Sequence, residues 1–131
     1  MGGAELEAKD SNGRTAFLIA CIGGHTECIT VLAKGGCNTA AKGNRDQTGL
    51  MLAAASGVAD AVQAVLKLGG SEIEARNSAG FTAFFYACSK GHAECIAALA
   101  QAGCNTSATD ADGSTALMCA VSSGSVAAVQ K

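Results

Sequence analysis

The chain repeats itself every 33 or 34 residues, and any fold it adopts has to respect that period. Thr15, Thr48, Thr82 and Thr115 stand 33, 34 and 33 residues apart. The same three intervals separate Ala20, Ala53, Ala87 and Ala120, and again Gly24, Gly57, Gly91 and Gly124. The extra residue of the second interval falls in Gly69-Gly70-Ser71-Glu72, a loop one residue longer than those around Gly36-Cys37-Asn38 and Gly103-Cys104-Asn105. Periods of this length mark units that stack on one another.

The unit has a physical reading. Thr15 precedes the apolar run Ala16 to Ile22, and a hydroxyl ahead of such a run predicts a helix N-cap. Gly24 predicts the stop of this short helix, because a left-handed cap residue costs glycine least. A second helix is expected over roughly residues 26–34, with Cys28, Ile29 and Leu32 on one face and Gly35-Gly36 at its end. A polar loop rich in Asn, Asp, Gly and Lys follows and suits a turn in solvent. Helices this short do not stand alone in water. Each unit must bury its apolar face on the next, so a quasi-linear stack is expected.

This pattern resembles the ankyrin repeat, Asp-x-x-Gly-x-Thr-Pro-Leu-His-x-Ala-Ala-x-x-Gly-His. The first copy runs Asn12-Gly13-Arg14-Thr15-Ala16-Phe17 to Gly24-His25, and the third Ala79-Gly80-Phe81-Thr82-Ala83-Phe84 to Gly91-His92. The fourth opens Asp110-Ala111-Asp112-Gly113-Ser114-Thr115-Ala116-Leu117, and the second, Arg45-Asp46-Gln47-Thr48-Gly49-Leu50 to Gly57-Val58, is degenerate. The resemblance covers the chain from about Leu6 onward. It implies a single all-α domain, an ankyrin-repeat solenoid of helix-turn-helix units joined by β-hairpin-like loops. The expected divisions are a tail of a preceding unit at 1–9, repeats at 10–42, 43–76 and 77–109, and an incomplete repeat at 110–131.

Three departures from the family pattern matter. The proline after threonine is replaced by Ala16, Gly49, Ala83 and Ala116, at a first helical position where proline is tolerated but not required. The family histidine two residues further on becomes Leu18, Met51, Phe85 and Met118, so an apolar layer is expected in place of a hydrogen-bonded one. The paired leucines of the second helix become Leu32-Ala33, Val65-Leu66 and Leu99-Ala100. A Leu-to-Ala change in a fixed core costs about 2–5 kcal/mol. Phe17, Phe84 and Phe85 are expected to refill part of that volume, leaving modest stability. No polar capping helix is expected at either end, which predicts a place within a longer array or a cover supplied from elsewhere.

Composition narrows the function. The net charge is −2 and no Lys/Arg cluster exists, so neither nucleic acid nor an anionic membrane has an electrostatic handle. The apolar stretch Leu50 to Leu68 is interrupted by Ser56, Gly57, Asp60, Gln63 and Lys67, so no membrane-spanning helix is expected. The opening MGGAELEAKD has neither the basic flank and apolar centre of a signal peptide nor the sixth-position hydroxyl of a myristoylation site. Seven cysteines, an odd number lying within apolar patterns, predict reduced thiols in a reducing intracellular compartment.

The cysteines also pose a metal question. Cys21-x3-His25-x2-Cys28 recurs as Cys88-x3-His92-x2-Cys95, and these are zinc-ligand types. A fourth ligand would have to be Cys37 or Cys104, but nine residues of helix separate Cys28 from Cys37, about 13 Å along the axis. Cys28 and Cys95 occupy the family's apolar Ile position, and Cys21 and Cys88 a small Ala position, so packing is expected. His25 and His92 match the inter-helix histidine that fastens the turn. Glu27 and Glu94 are expected to serve the N-termini of their helices rather than a catalytic site. The glycine-rich loops lack the strand and the Gly-Lys-Ser/Thr of a phosphate loop. No metal, no cofactor and no catalysis are therefore expected.

The family binds protein partners through loop tips and the concave face of the first helices. Carried over by position, the candidate partner-binding residues are Arg14, Ile22, Arg45, Gln47, Phe81, Lys90, Asp112 and Ser114. Phe81 is expected to be the aromatic anchor, against the alternative that it folds back on Phe84 or Phe85. Tyr86 is a further candidate for the concave side. The expected function is a non-enzymatic interaction module or scaffold for a protein partner. The alternatives are a subunit held permanently in a larger assembly and a Cys/His metal or redox sensor.

Overall fold

A single hydrogen bond, used four times, sets the helices in register. The side-chain oxygen of Thr15 accepts from the Leu18 N–H at 3.3 Å, Thr48 from Met51 at 3.2 Å, Thr82 from Phe85 at 3.4 Å and Thr115 from Met118 at 3.3 Å. Each cap satisfies one of the N–H groups that a helix start leaves unpaired. The computed structural model describes residues 7–68, 73–107, 109, 112–116 and 118. Behind the first three caps lie the inner helices α1 (Ala16–Ile22), α3 (Gly49–Ser56) and α5 (Ala83–Lys90). Each is followed by an outer helix: α2 (Thr26–Lys34), α4 (Ala59–Lys67) and α6 (Ala93–Gln101). The turn within each pair passes through Gly24, Gly57 or Gly91 at φ +66°, +82° and +73°, a conformation that favours glycine.

Inner helices pack on inner helices and outer on outer, so the pairs form a two-layered stack in chain order. The inner layer buries Phe17, Leu18, Leu50, Met51, Phe84 and Phe85, and the outer layer Ile29, Val62, Val65, Ile96 and Leu99. Burying one such side chain contributes roughly 1.5–3 kcal/mol. None of the described helices is long and apolar enough to cross a membrane. The loops between units are hairpin-like turns with single antiparallel bridges, Lys42 to Thr48 and Thr109 to Thr115, and no strand forms among the described residues. The expected longer loop at 69–72 lies outside the described residues, as does the fourth unit beyond Met118.

Two expectations about the core need correction. The layer that replaces the family histidine is not wholly apolar. The Thr48 N–H donates to the Met51 sulfur at 3.4 Å, and the Thr115 N–H to the Met118 sulfur at 3.5 Å. A thioether is a weak acceptor, but it reaches back to the cap residue as a polar side chain would. The alanines of the outer helices cost less than expected, because their positions are not central. Leu99 is fully buried while Ala100 is exposed, and Ala33 is only half-buried.

Gly49 is a tight point between units. A Cβ built there would lie 2.7 Å from Phe17 Cε2 and 3.2 Å from the Cys21 sulfur. The first unit's phenylalanine thus occupies the space that Ala16, Ala83 and Ala116 fill with a methyl group in the other copies. Gly49→Ala is therefore expected to lower stability by about 1–3 kcal/mol through overpacking, although alanine is the better helix former. Denaturant unfolding of Gly49→Ala, Phe17→Leu and the pair checks this, since the double variant should recover most of the loss.

The second loop carries local strain. At the position two before the capping threonine, Gly13, Gly80 and Gly113 adopt φ +76°, +87° and +81°, but the second unit places Asp46 there at φ +60°. Relief of a left-handed Cβ, offset by the extra freedom glycine gives the unfolded chain, predicts that Asp46→Gly stabilises by roughly 0.5–1 kcal/mol. A rise in the denaturation midpoint at constant slope would be the signature, and a fall would refute the strain assignment.

Candidate partner-binding face

The loop tips are built on a side chain that imitates a turn. Asp10 Oδ1 accepts the N–H groups of Asn12 and Arg14, both at 2.9 Å, and Asn77 Oδ1 accepts those of Ala79 and Phe81, also at 2.9 Å. Such Asx turns hold a loop without help from a sheet. The second unit has Gly43 at this position and cannot do the same. Its tip instead forms a 3₁₀ turn, Asn44–Asp46, with Arg45 also at φ +60°. The Arg45 carbonyl accepts the Ser78 N–H at 2.8 Å, which ties the second tip to the third.

Gln47, Asn77, Phe81 and Tyr86 converge where these two tips meet α5. The Tyr86 hydroxyl oxygen accepts from Asn77 Nδ2 at 2.6 Å and from Gln47 Nε2 at 3.1 Å. Phe81 is half-buried and stacks on Phe85 with ring centroids 5.7 Å apart, while Tyr86 meets it edge-on at 6.2 Å. Phe81 therefore folds back on Phe85, as the alternative had it, and part of its surface stays accessible. Asn77 escaped the sequence reading, although its place at the turn position held by Asp10 was the available signal.

The other candidates are distributed along the same face. Arg14, Gln47, Phe81 and Ser114 share one repeat position, the residue before each capping threonine. The Arg14 guanidinium is engaged: its Nε and its Nη2 lie 3.0 and 2.9 Å from Asp10 Oδ2. The Arg14 backbone N–H, then its guanidinium and the Asn12 N–H, hold the Asp10 carboxyl below the usual carboxylate range. Arg45 and Lys90 are exposed, and neither makes an ion pair among the described residues. Ile22 ends α1 with 38% of its surface exposed, and Ile19, one turn earlier, has 44%. Asp112 is exposed and Ser114 half-buried at the fourth tip. The face is thus a row of tips and helix ends, with an aromatic and amide cluster near the third unit.

The Cys/His sets do not converge. Cys21 is buried in the core, whereas His25 and Cys28 are exposed. In the third unit Cys88 and Cys95 are buried, and His92 Nε2 lies 3.2 Å from the Ala55 carbonyl oxygen of the preceding unit. The resemblance implied a histidine that fastens its turn; His92 instead reaches the preceding unit, and His25 finds no such carbonyl among the described residues. The expectation that Cys28 packs like Cys95 is corrected: it occupies the same repeat position but lies exposed. Among the described residues, no three or more Cys, His, Asp or Glu side chains are grouped to hold a metal ion.

Burial pushes the Cys21 thiol up to about 12 and the Cys95 and Cys104 thiols up to about 11, and it also raises Cys37. The Glu94, Glu74 and Glu7 carboxylates add to the effect at Cys95, Cys104 and Cys37 respectively. Protonated, enclosed thiols are poor nucleophiles. Of the six described cysteines, Cys28 alone should react rapidly with maleimide near neutral pH, as mass mapping of the labelled native protein would show. An unfolded cysteine loses its proton near 9, and these folded ones only at about 11–12. The unfolded chain therefore binds fewer protons across that window, so the thiols' contribution to stability should be level below pH 9 and fall as the pH rises above it. Rapid labelling of Cys21 or Cys95 in the folded chain would contradict this picture.

With the geometry in hand, comparison with known families gives one clear match. The family model described as ankyrin repeats, in three copies, matches residues 1–77 and residues 50–131. These overlapping matches together span the chain. The chain belongs to the ankyrin-repeat family.

Proposed function

We propose that this chain is a non-enzymatic interaction module that grips an acidic segment of a protein partner across its loop tips and inner-helix face. Ankyrin repeats are in general protein–protein interaction modules and typically lack catalytic activity. The observation that carries the finer reading is the Tyr86 hydroxyl. Its oxygen already accepts two amide donors, so its own proton is left to donate outward. A partner carboxylate or backbone carbonyl is the matching group.

The surroundings support the same chemistry. Arg45 and Lys90 stand exposed on this side without a carboxylate partner among the described residues. Phe81 and Ile22 supply apolar area beside them. Arg45 is held in a left-handed conformation by the bond from Ser78, and strain of this kind gathers where a side chain has to be presented. A scaffold that does not reorganise on binding limits the entropy cost of association. Against catalysis stand the buried, protonated thiols of Cys21 and Cys95.

Arg45→Glu combined with Lys90→Glu should weaken partner capture by at least tenfold, about 1.4 kcal/mol, with unfolding unchanged to within about 0.5 kcal/mol because both side chains are exposed. Gln63→Lys, on the exposed side of α4, should leave capture unaltered. Quantitative affinity capture with mass spectrometry provides the readout. Equal capture by the double variant and the unaltered chain would refute the assignment of this face.

A further inference from the structure

The third tip is held by a side chain with more chemistry than its turn requires. Asn77 Oδ1 accepts the N–H groups of Ala79 and Phe81, both at 2.9 Å. Asp10 Oδ1 does the same for Asn12 and Arg14 at the same distance, so a carboxylate builds this turn as well as an amide does. The two side chains differ in what their second polar atom meets. Asp10 Oδ2 receives the Arg14 guanidinium of its own tip. Asn77 Nδ2 donates instead to the Tyr86 hydroxyl oxygen at 2.6 Å.

The choice of residue follows the same division. Four residues after the capping threonine, the first unit carries Ile19 and the third carries Tyr86. Where the inner helix offers no hydroxyl the turn residue is Asp10, and where it offers one the turn residue is Asn77. The orientation of the Asn77 amide is not interchangeable: Oδ1 is taken by two backbone donors, and only Nδ2 is left to face the phenol. Asn77 is buried, so a lost partner there is costly.

Gln47 Nε2 reaches the same oxygen from the second tip, at 3.1 Å. The two amide donors fill the acceptor capacity of the Tyr86 oxygen and leave its proton facing outward. An incoming ammonium, guanidinium or amide N–H finds no lone pair there and meets two donors like itself. A carboxylate oxygen finds a proton. A carboxylate in place of the Asn77 amide would keep the turn but draw the phenolic proton inward.

We propose that Asn77 is the positioning residue that turns the Tyr86 hydroxyl outward and, with Gln47, makes this place on the tips selective for a partner's carboxylate against any hydrogen-bond donor. The identity of the occupant rests on the acidic-partner reading above, whereas the direction of the hydroxyl is a property of the free chain.

Tyr86 is the single tyrosine of the chain and there is no tryptophan, so the tyrosine Fermi doublet in the Raman spectrum reports this hydroxyl alone. The doublet ratio is high for a phenol that accepts hydrogen bonds and low for one that donates strongly to a carboxylate. At neutral pH, Asn77→Asp should lower the ratio of the free chain with helicity retained. Gln47→Glu, which leaves the Asn77 turn intact, should shift it the same way. A ratio unchanged in folded Asn77→Asp would overturn the proposal. So would a ratio unchanged in Gln47→Glu if Asn77→Asp does not fold, or one already low in the unaltered chain.

Selectivity is tested with a peptide of alternating glutamate and alanine. Asn77→Asp also adds a charge, so its effect is measured with Tyr86 present and in the Tyr86→Phe background, where the charge acts without the hydroxyl. The substitution should weaken binding about fivefold more with the tyrosine than with the phenylalanine. Equal losses in the two backgrounds would overturn the selectivity. If the peptide binds neither the unaltered chain nor any variant, the acidic-partner reading fails, and the Raman ratio still decides for or against Asn77.

Discussion

Everything in this molecule depends on apolar faces that short helices cannot bury alone. The described helices run from seven to nine residues, too short to persist in isolation. The threonine caps start each inner helix and the left-handed glycines turn it, but neither supplies the burial that holds the pair together. That burial comes from the neighbouring unit. Phe17 shows this at one contact: its ring lies where a Cβ on Gly49 of the next unit would be. The stability of one unit is therefore written partly in the sequence of another, as expected for a quasi-one-dimensional stack.

This dependence explains what could be read from the sequence and what could not. Caps and turns are local, so Thr15, Thr48 and Thr82 and the glycines at 24, 57 and 91 revealed the period and the helix boundaries directly. Packing between units is not local. Nothing near Gly49 announces the phenylalanine 32 residues earlier, and the glycine reads only as a degenerate family position. The methionines were misread for a different reason. Hydropathy treats Met51 as a hydrocarbon, whereas its sulfur turns back to the cap N–H. The second tip was legible only by what it lacks, since Gly43 cannot form the turn that Asp10 and Asn77 make.

The candidate binding face was legible in outline for the same reason. Repeat position alone places Arg14, Gln47 and Phe81 on the tips, but it does not say which side chains are already engaged. Arg14 is held by Asp10, and Gln47 by Tyr86, while Arg45 is displayed by a backbone conformation that no propensity scale would assign to arginine. The cysteines make the point most sharply. Glu27-Cys28-Ile29 and Glu94-Cys95-Ile96 are the same three residues in the same helical position. One thiol is exposed and the other buried, because burial here belongs to the neighbour and not to the local sequence.

The tips and inner-helix ends form a row parallel to the stacking direction, and neighbouring tips are joined, the second to the third through Arg45 and Ser78. The cluster of Gln47, Asn77, Phe81 and Tyr86 lies where two units meet, and its members are buried or half-buried. Arg14, by contrast, is held only by the exposed Asp10 of its own unit. The order of the candidate face therefore follows the same rule as the core: what fixes a side chain is the neighbouring unit as much as its own loop.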